Sequence, residues 1–442
     1  MPVPAFLRYK HSSQQRLGAL QVFVALLDSQ RRSTSSEQLD RRILSLLVSE
    51  PSNSIELGAR KRRFPNNQAE ELLKLADAPS LLFTVTAKMV ARVREWARIF
   101  GFVGSGNQIT ERGLLLQHLM GRDQVEAVRA GRLAEYNPFR LSLVERIFFW
   151  YTLLERDALW PFLIRRISEI PDGKPISGRD ADVLTTQALQ DLLRAPRAGL
   201  SGSEMLLLRR LRELEAHMAA SLGLKDAEAY RRAVASRGPI RTGLHLRTAQ
   251  AQPQRNTADD QAIPRFENLV DVGLLTKESA DERTSPKTEE SWLRRLEWRY
   301  FAGSGLRDWR EAVGEASGYD RQFLWSRFAR CAAPAFNLQP AAHITVDDGA
   351  TRILELVREA FSAVRRPVGH TPFESVALIA MIRGLERGVE CEMATIHELF
   401  IRYKTRGLFS EHLKFASGNE LDRMFIDIRP DFFEAVRRTY GQ

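Results

Sequence analysis

The stretch "EWARIFGFVGSGNQITERGLLL" (residues 95–116) holds a helix end, a turn and a helix start in one short run. An Arg-bearing helical pattern stops at Gly101. Phe102 and Val103 follow, then a turn, Gly104-Ser105-Gly106-Asn107. Gln108-Ile109-Thr110 leads into a new helical pattern from Glu111. Glycine adopts left-handed backbone at little steric cost, so Gly101 suits the position after a last helical turn. Two short apolar runs around a Gly/Asn turn predict a hairpin. Thr110 carries a hydroxyl that can accept an orphan N–H at the start of the helix 111–120.

Upstream, Val85, Met89, Val93, Trp96 and Phe100 recur at helical spacing and predict a helix over 85–100. Lys88, Arg92, Arg94 and Arg98 lie off that apolar face. They are candidate phosphate contacts, with Ser105, Asn107 and Gln108 of the turn beside them. Arg60, Lys61, Arg62 and Arg63 form a basic run in the same unit. Such a run is either a solvated face or a phosphate contact, and its place ahead of the basic helix favours contact.

The phrase "REWARIFGFVGSGNQITERG" resembles the winged-helix (winged helix-turn-helix) family. There a helix ends on a leucine/phenylalanine-Gly-apolar-apolar step, and a wing closes on Ile-Thr-x-x-Gly. The resemblance covers residues 35–120. It implies a helix lying in the major groove of duplex DNA and a wing touching backbone or minor groove. Many winged helices bind only protein, so the partner stays open on the resemblance alone. "IPRFENLVDVGLLTKES" (263–279) has the same grammar, Gly273-Leu274-Leu275 standing where Gly101-Phe102-Val103 stands. No tight glycine turn follows it over 280–290, so its hairpin is unclear. Glu267 and Asp271 make it a more protein-facing unit. A third candidate spans 372–428: one helix ending near Leu385, a turn "ERGVECE", a second helix over Met393, Ile396, Leu399, Phe400 and Tyr403, and a wing from 409–428. Arg402, Lys404 and Arg406 at the end of that second helix are its candidate DNA contacts.

Elsewhere apolar residues recur at three and four: Leu17, Leu20, Val24 and Leu27; Leu39, Ile43, Leu46 and Leu47; Leu143, Ile147, Trp150, Tyr151 and Leu154; Met205, Leu208, Leu211 and Leu214. The fold class is mainly α with small β-hairpins, built as several winged-helix-like modules on helical supports. Breaks rich in Pro, Gly and polar residues suggest five parts. Residues 1–132 are an N-terminal helical and winged-helix module, and 133–246 a helical middle domain. Residues 247–262 are a linker or mobile loop. Residues 263–340 are a second, aromatic-rich module, and 341–442 a C-terminal helix-turn-helix-like module.

The chain has 442 residues and a formal net charge of +10. A basic balance favours an anionic partner. Two cysteines, Cys331 and Cys391, allow no disulfide framework and suggest a reducing compartment. No signal-like leader and no apolar run of membrane-spanning length is seen, so a cytoplasmic, including nucleoid-associated, location is expected.

Enzyme signatures are missing from the sequence: no phosphate-binding Gly-Lys loop, no Gly-x-Ser-x-Gly elbow, and Ile401 where "HELFI" (397–401) would need a zinc-binding His. Asp347-Asp348 reads as a turn and helix cap. Glu390 and Glu392 with Lys404 superficially suggest a nuclease set but lie in a turn and on a helix. Trp292, Trp298, Tyr300, Phe301, Trp309, Phe323, Trp325 and Phe328 alternate with arginines. This pattern suits base stacking or, more simply, a helical core.

The expectation is a non-catalytic DNA-binding subunit of a bacterial multi-protein system of defence, restriction or mobile-element type. It would need no cofactor or metal. Double-stranded DNA and ATPase or nuclease subunits are its expected partners, with no membrane. A protein–protein scaffold is the first alternative and a metal-dependent nuclease the second.

Overall fold

The computed structural model describes residues 16–30, 32–47, 72, 75, 87–157, 159–194, 216, 219–220, 223–229, 232, 257–279, 298–313, 321–339, 342–365, 371–405, 413–416, 424–429 and 431–440. Within these the chain is mainly helical, with short strands between helices.

The N-terminal part begins with α1 (Leu17–Ala25), in which every residue is buried. The sequence marks one apolar face on this helix. The structure buries the whole of it, because α3, α4 and α5 all pack against it. Helix α2 (Ser36–Leu47) buries the expected set, Leu39, Ile43, Leu46 and Leu47. Then come α3 (Ala87–Ile99), α4 (Glu111–Met120) and α5 (Arg122–Arg129).

Gly101 ends α3 with φ 75°. Phe102 N donates to Ala97 O at 2.9 Å and Gly101 N to Arg98 O at 3.0 Å, the paired bonds of a Schellman cap. The hairpin after it is minimal: one bridge, Val103 to Ile109, around a 3-10 turn, Ser105–Asn107. Thr110 caps α4 as expected, accepting from Gly113 N at 3.2 Å.

Helix α6 (Leu143–Arg156) opens on a Ser142/Glu145 capping box and is buried along most of its length. It is followed by α7 (Trp160–Ser168), β1 (Ile176–Ser177), α8 (Gly178–Arg194), α9 (Thr257–Asp271), β2 (Leu275–Ser279) and β3 (Trp298–Ala302). The three strands form an antiparallel sheet in the order β1-β3-β2, with Leu275 opposite Ala302 and Ile176 opposite Tyr300. So the hairpin left unclear by the sequence exists. The residues between its strands, 280–297, lie outside the described ones. Gly273 ends α9 with φ 79°, and the cap bonds match those at Gly101: Leu274 N to Leu269 O and Gly273 N to Val270 O, both 2.9 Å.

Helices α10 (Ser304–Val313) and α11 (Arg321–Ala335) lead to the C-terminal part. It contains β4 (Ala342–His343), α12 (Val346–Val364), β5 (Thr371–Pro372), α13 (Phe373–Glu386), β6 (Val389–Glu390), α14 (Met393–Thr405), β7 (Leu413–Ala416), β8 (Phe425–Ile428) and α15 (Phe432–Tyr440). Strands β5, β8 and β7 form a second antiparallel sheet in that order, and β4 pairs with β6 in parallel.

Several expectations need correction. Strand β1, from the expected middle domain, pairs with β3, from the expected second module, so the sheet crosses that boundary. Helix α9 starts at Thr257, inside the expected linker 247–262; residues 247–256 lie outside the described ones. The cap of α12 is Thr345, which accepts from Asp348 N, while Asp347 and Asp348 occupy the first turn. In the aromatic stretch the simpler of the two readings, a core, is what most of the described residues show, with Phe301 half-buried. Trp309, Trp325, Phe323, Phe328 and Tyr300 are buried, and Trp309 packs edge-on against Trp150 at 5.5 Å. Trp292 and the apolar pattern 205–214 lie outside the described residues.

Candidate nucleic-acid interface

The expected basic face of α3 is largely engaged within the fold. Arg94 Nη1 donates to both carboxylate oxygens of Asp40 on α2, at 2.8 and 2.9 Å. Burial pushes the Asp40 carboxyl up, and the Arg94 guanidinium pulls it back. Arg98 is exposed, and its Nη2 donates to Asn107 Oδ1 at 3.0 Å. Arg92 is half-buried, and Lys88 lies on the first turn of the same helix.

Asn107 differs from its expected role. It is 3% exposed and adopts φ 54°. Its Nδ2 donates to Thr34 O at 2.9 Å and Ser36 Oγ at 3.0 Å. Ser33 Oγ donates to Gly106 O at 2.6 Å, and Thr34 N to the same oxygen at 3.3 Å. The turn is therefore bonded to the start of α2, and Asn107 is the rivet. An Asn here tolerates the left-handed backbone and supplies both a donor and an acceptor. Only Ser105 and Gln108 of the three turn candidates face solvent.

At the C-terminal unit, Arg402 pairs with Asp347 of α12 and Glu398 of its own helix. Lys404 lies on α14 next to it in the last turn. Arg406 and the run Arg60, Lys61, Arg62 and Arg63 lie outside the described residues. The structure thus brings Arg94, Arg98, Ser105, Asn107 and Gln108 to one corner formed by α2, α3 and the turn. It leaves Arg402 and Lys404 on a separate unit.

The third helix of the second unit is enclosed. Residues 262–269 of α9 are all buried. Arg265 pairs with Asp157 at 2.8 Å, both fully buried. Asp271 accepts from Leu17 N at 2.6 Å and pairs with Arg16 at 2.6 Å, capping α1 from a distant part of the chain. Glu267 accepts from Lys277 Nζ at 2.5 Å and Tyr300 Oη at 2.6 Å. Burial raises the Asp271 carboxyl to about 6 and lowers the Lys277 amine to about 8; their charged neighbours offset part of each shift.

A further buried group joins all three parts. Arg112 of α4 pairs with Glu155 of α6 and, at 3.3 Å, with Glu374 of α13. Tyr151 Oη donates to Glu374 at 3.3 Å. No spacing in the sequence announces this group, since its members come from three distant segments.

Among the described residues no group of three or more His, Cys, Asp or Glu is placed to hold a metal ion. Asp347 is paired with Arg402. Glu392, 2% exposed, accepts from the backbone N–H of Ala329 and of Arg330, at 2.9 Å each. His397 lies edge-on to Trp325 and Phe373. No helix among the described residues is long and apolar enough to cross a membrane. Comparisons with family models, with curated proteins and with solved structures gave no match.

Proposed function

We propose that this chain is a DNA-binding, non-catalytic subunit of a bacterial multi-protein system of the defence, restriction or mobile-element type. Its modules are read as winged helices. One observation carries the reading: nearly the same element order occurs twice among the described residues. Helix, strand, helix, helix, then two strands is the order of α7, β1, α8, α9, β2 and β3; α12, β5, α13, α14, β7 and β8 follow it, with one added two-residue strand, β6, between α13 and α14. In both, the first strand pairs with the last, and the middle one lies outside it. In a chain of net charge +10, a fold of this order commonly serves nucleic acid. The N-terminal corner, with exposed Arg98, Ser105 and Gln108, is the first contact surface.

A gel shift with the full chain and a duplex over a salt series tests the reading. Binding that weakens steeply with salt is expected. No shift at low salt sinks it. Arg92→Ala/Arg98→Ala should weaken binding; unchanged affinity removes α3 from the interface and leaves DNA binding standing.

The second reading is a scaffold that docks other subunits. The enclosure of α9 favours it for the middle unit, because a buried helix cannot enter a groove. The two readings divide the molecule between them, with nucleic acid at the N-terminal and C-terminal units and a structural role at the middle one.

A further inference from the structure

The C-terminal unit was expected to meet DNA through cations at the end of α14, where Arg402 is held by two carboxylates. The opposite end of α14 is arranged differently. Strand β6 runs into its first turn, and β4 lies beside β6 with His343 opposite Glu390. Helix α11 packs against α14 and β6. Arg327 and Arg330 stand one turn apart on α11, on one face, and both are exposed. Among the described residues neither guanidinium is held by an ion pair or hydrogen bond.

The acidic groups near them are withdrawn from solvent. Glu392 is 2% exposed and is occupied with two backbone N–H groups of α11. Glu390 is 9% exposed, and burial raises its carboxyl, with Arg330 offsetting part of the rise. Burial, then the Arg330 guanidinium, holds the neighbouring His343 imidazole below its usual range, so it adds no cation at neutral pH. What faces water is a pair of free guanidinium groups beside the positive end of a helix dipole. Elsewhere on this surface, cations such as Arg122, Arg132, Arg307 and Arg387 are paired with carboxylates.

We propose that Arg327 and Arg330 form a phosphate-contact surface at the N-terminal end of α14, taking the backbone of duplex DNA. The proposal rests on the DNA-binding reading and moves the contact on this unit from the end of α14 to its start. Two guanidinium groups one helical turn apart suit successive phosphates, since each is a planar donor fork that matches phosphate oxygens.

The test is fluorescence anisotropy of a labelled duplex of arbitrary sequence with the full chain, over a salt series. Arg327→Ala/Arg330→Ala should reduce the slope of log K against log salt by about 2, one per lost contact. Arg327→Lys/Arg330→Lys should restore most of the slope. Arg140→Ala/Arg310→Ala, which removes two exposed arginines elsewhere, should leave it nearly unchanged. An unchanged slope in the first variant, with wild type binding, overturns the patch and leaves DNA binding intact. An equal fall in the control variant also overturns it, because the effect would then be net charge alone. Failure of wild type to bind at low salt overturns the DNA-binding reading, and this surface with it.

Discussion

At the residue scale, the glycines of the opening stretch do different work. Gly101 is needed for its backbone, with φ 75° and Arg156 Nη2 only 3.1 Å from where a Cβ would stand. Gly113 is needed for space. A Cβ there would lie 2.4 Å from Phe102 O and 2.6 Å from Ile109 Cγ1, so α4 rides directly on the bridged residues. A backbone oxygen cannot swing aside as a side chain can. Gly113→Ala is expected to cost about 2–3 kcal/mol, the upper part of the overpacking range, despite alanine's better helix propensity. Urea unfolding checks it; a loss within about 0.5 kcal/mol would mean that the approach is looser than described. Asn107 teaches the complementary lesson. In the sequence it is a turn residue and a candidate contact, while in the fold its amide is spent inside. Turn composition signals a bend but not which polar group faces out.

At the element scale, hidden charge governs the middle unit. Lys277 and Glu267 are 1% and 0% exposed at the side chain, and Tyr300 donates to the same carboxylate. Lys277→Ala is expected to cost about 3–5 kcal/mol, because it strands a buried carboxylate. Lys277→Met/Glu267→Gln should cost clearly less than the single change. Chemical denaturation of both variants checks this, and equal losses would show that packing, not charge, sets the cost. Legibility follows the same line. The helices of the N-terminal and C-terminal parts were legible because Leu39, Ile43, Leu46 and Leu47, and likewise Met393, Ile396 and Leu399, keep strict helical spacing. The β2–β3 hairpin was not, because hairpins announce themselves in sequence by tight glycine turns, and residues 280–290 contain none. The tight Gly-Ser-Gly-Asn turn, a strong local signal, produces a single bridge. The turn advertises itself locally; ladder length depends on partners elsewhere. Arg327 and Arg330 carry no distinguishing signal in the sequence for a related reason. Many arginines punctuate that aromatic stretch, and only packing separates free guanidinium groups from paired ones.

At the scale of the whole molecule, α6 is the common support. Arg156 at its end covers Gly101, Arg146 near its start covers Gly273, and Glu155 holds Arg112 against Glu374. Both guanidinium groups meet helix C-termini, where a cation is favoured by the backbone dipole. Stability should therefore respond to buried ionisation across units. The Glu392 carboxyl is raised from 4.5 to about 7, chiefly by burial, and Asp271 from 3.8 to about 6. The native state favours the protonated form of both. Their contribution is complete below the unfolded values and is lost as pH rises through the folded ones. Lys277, lowered from 10.5 to about 8, has the opposite course: its contribution is present above the unfolded value and lost as pH falls through about 8. These three groups together place a stability minimum between about pH 7 and 8, each changing the slope by up to about 1.4 kcal/mol per pH unit. Glu392→Gln isolates the first of them. The stability of wild type relative to this variant should fall as pH rises from about 5 to about 7.5, read from urea midpoints at each pH. Other carboxylates titrate in the same window, but they do so in both proteins and cancel in the difference. A difference that stays constant with pH would mean that Glu392 keeps its charge throughout. Its two N–H bonds from α11 would then outweigh the burial that surrounds them.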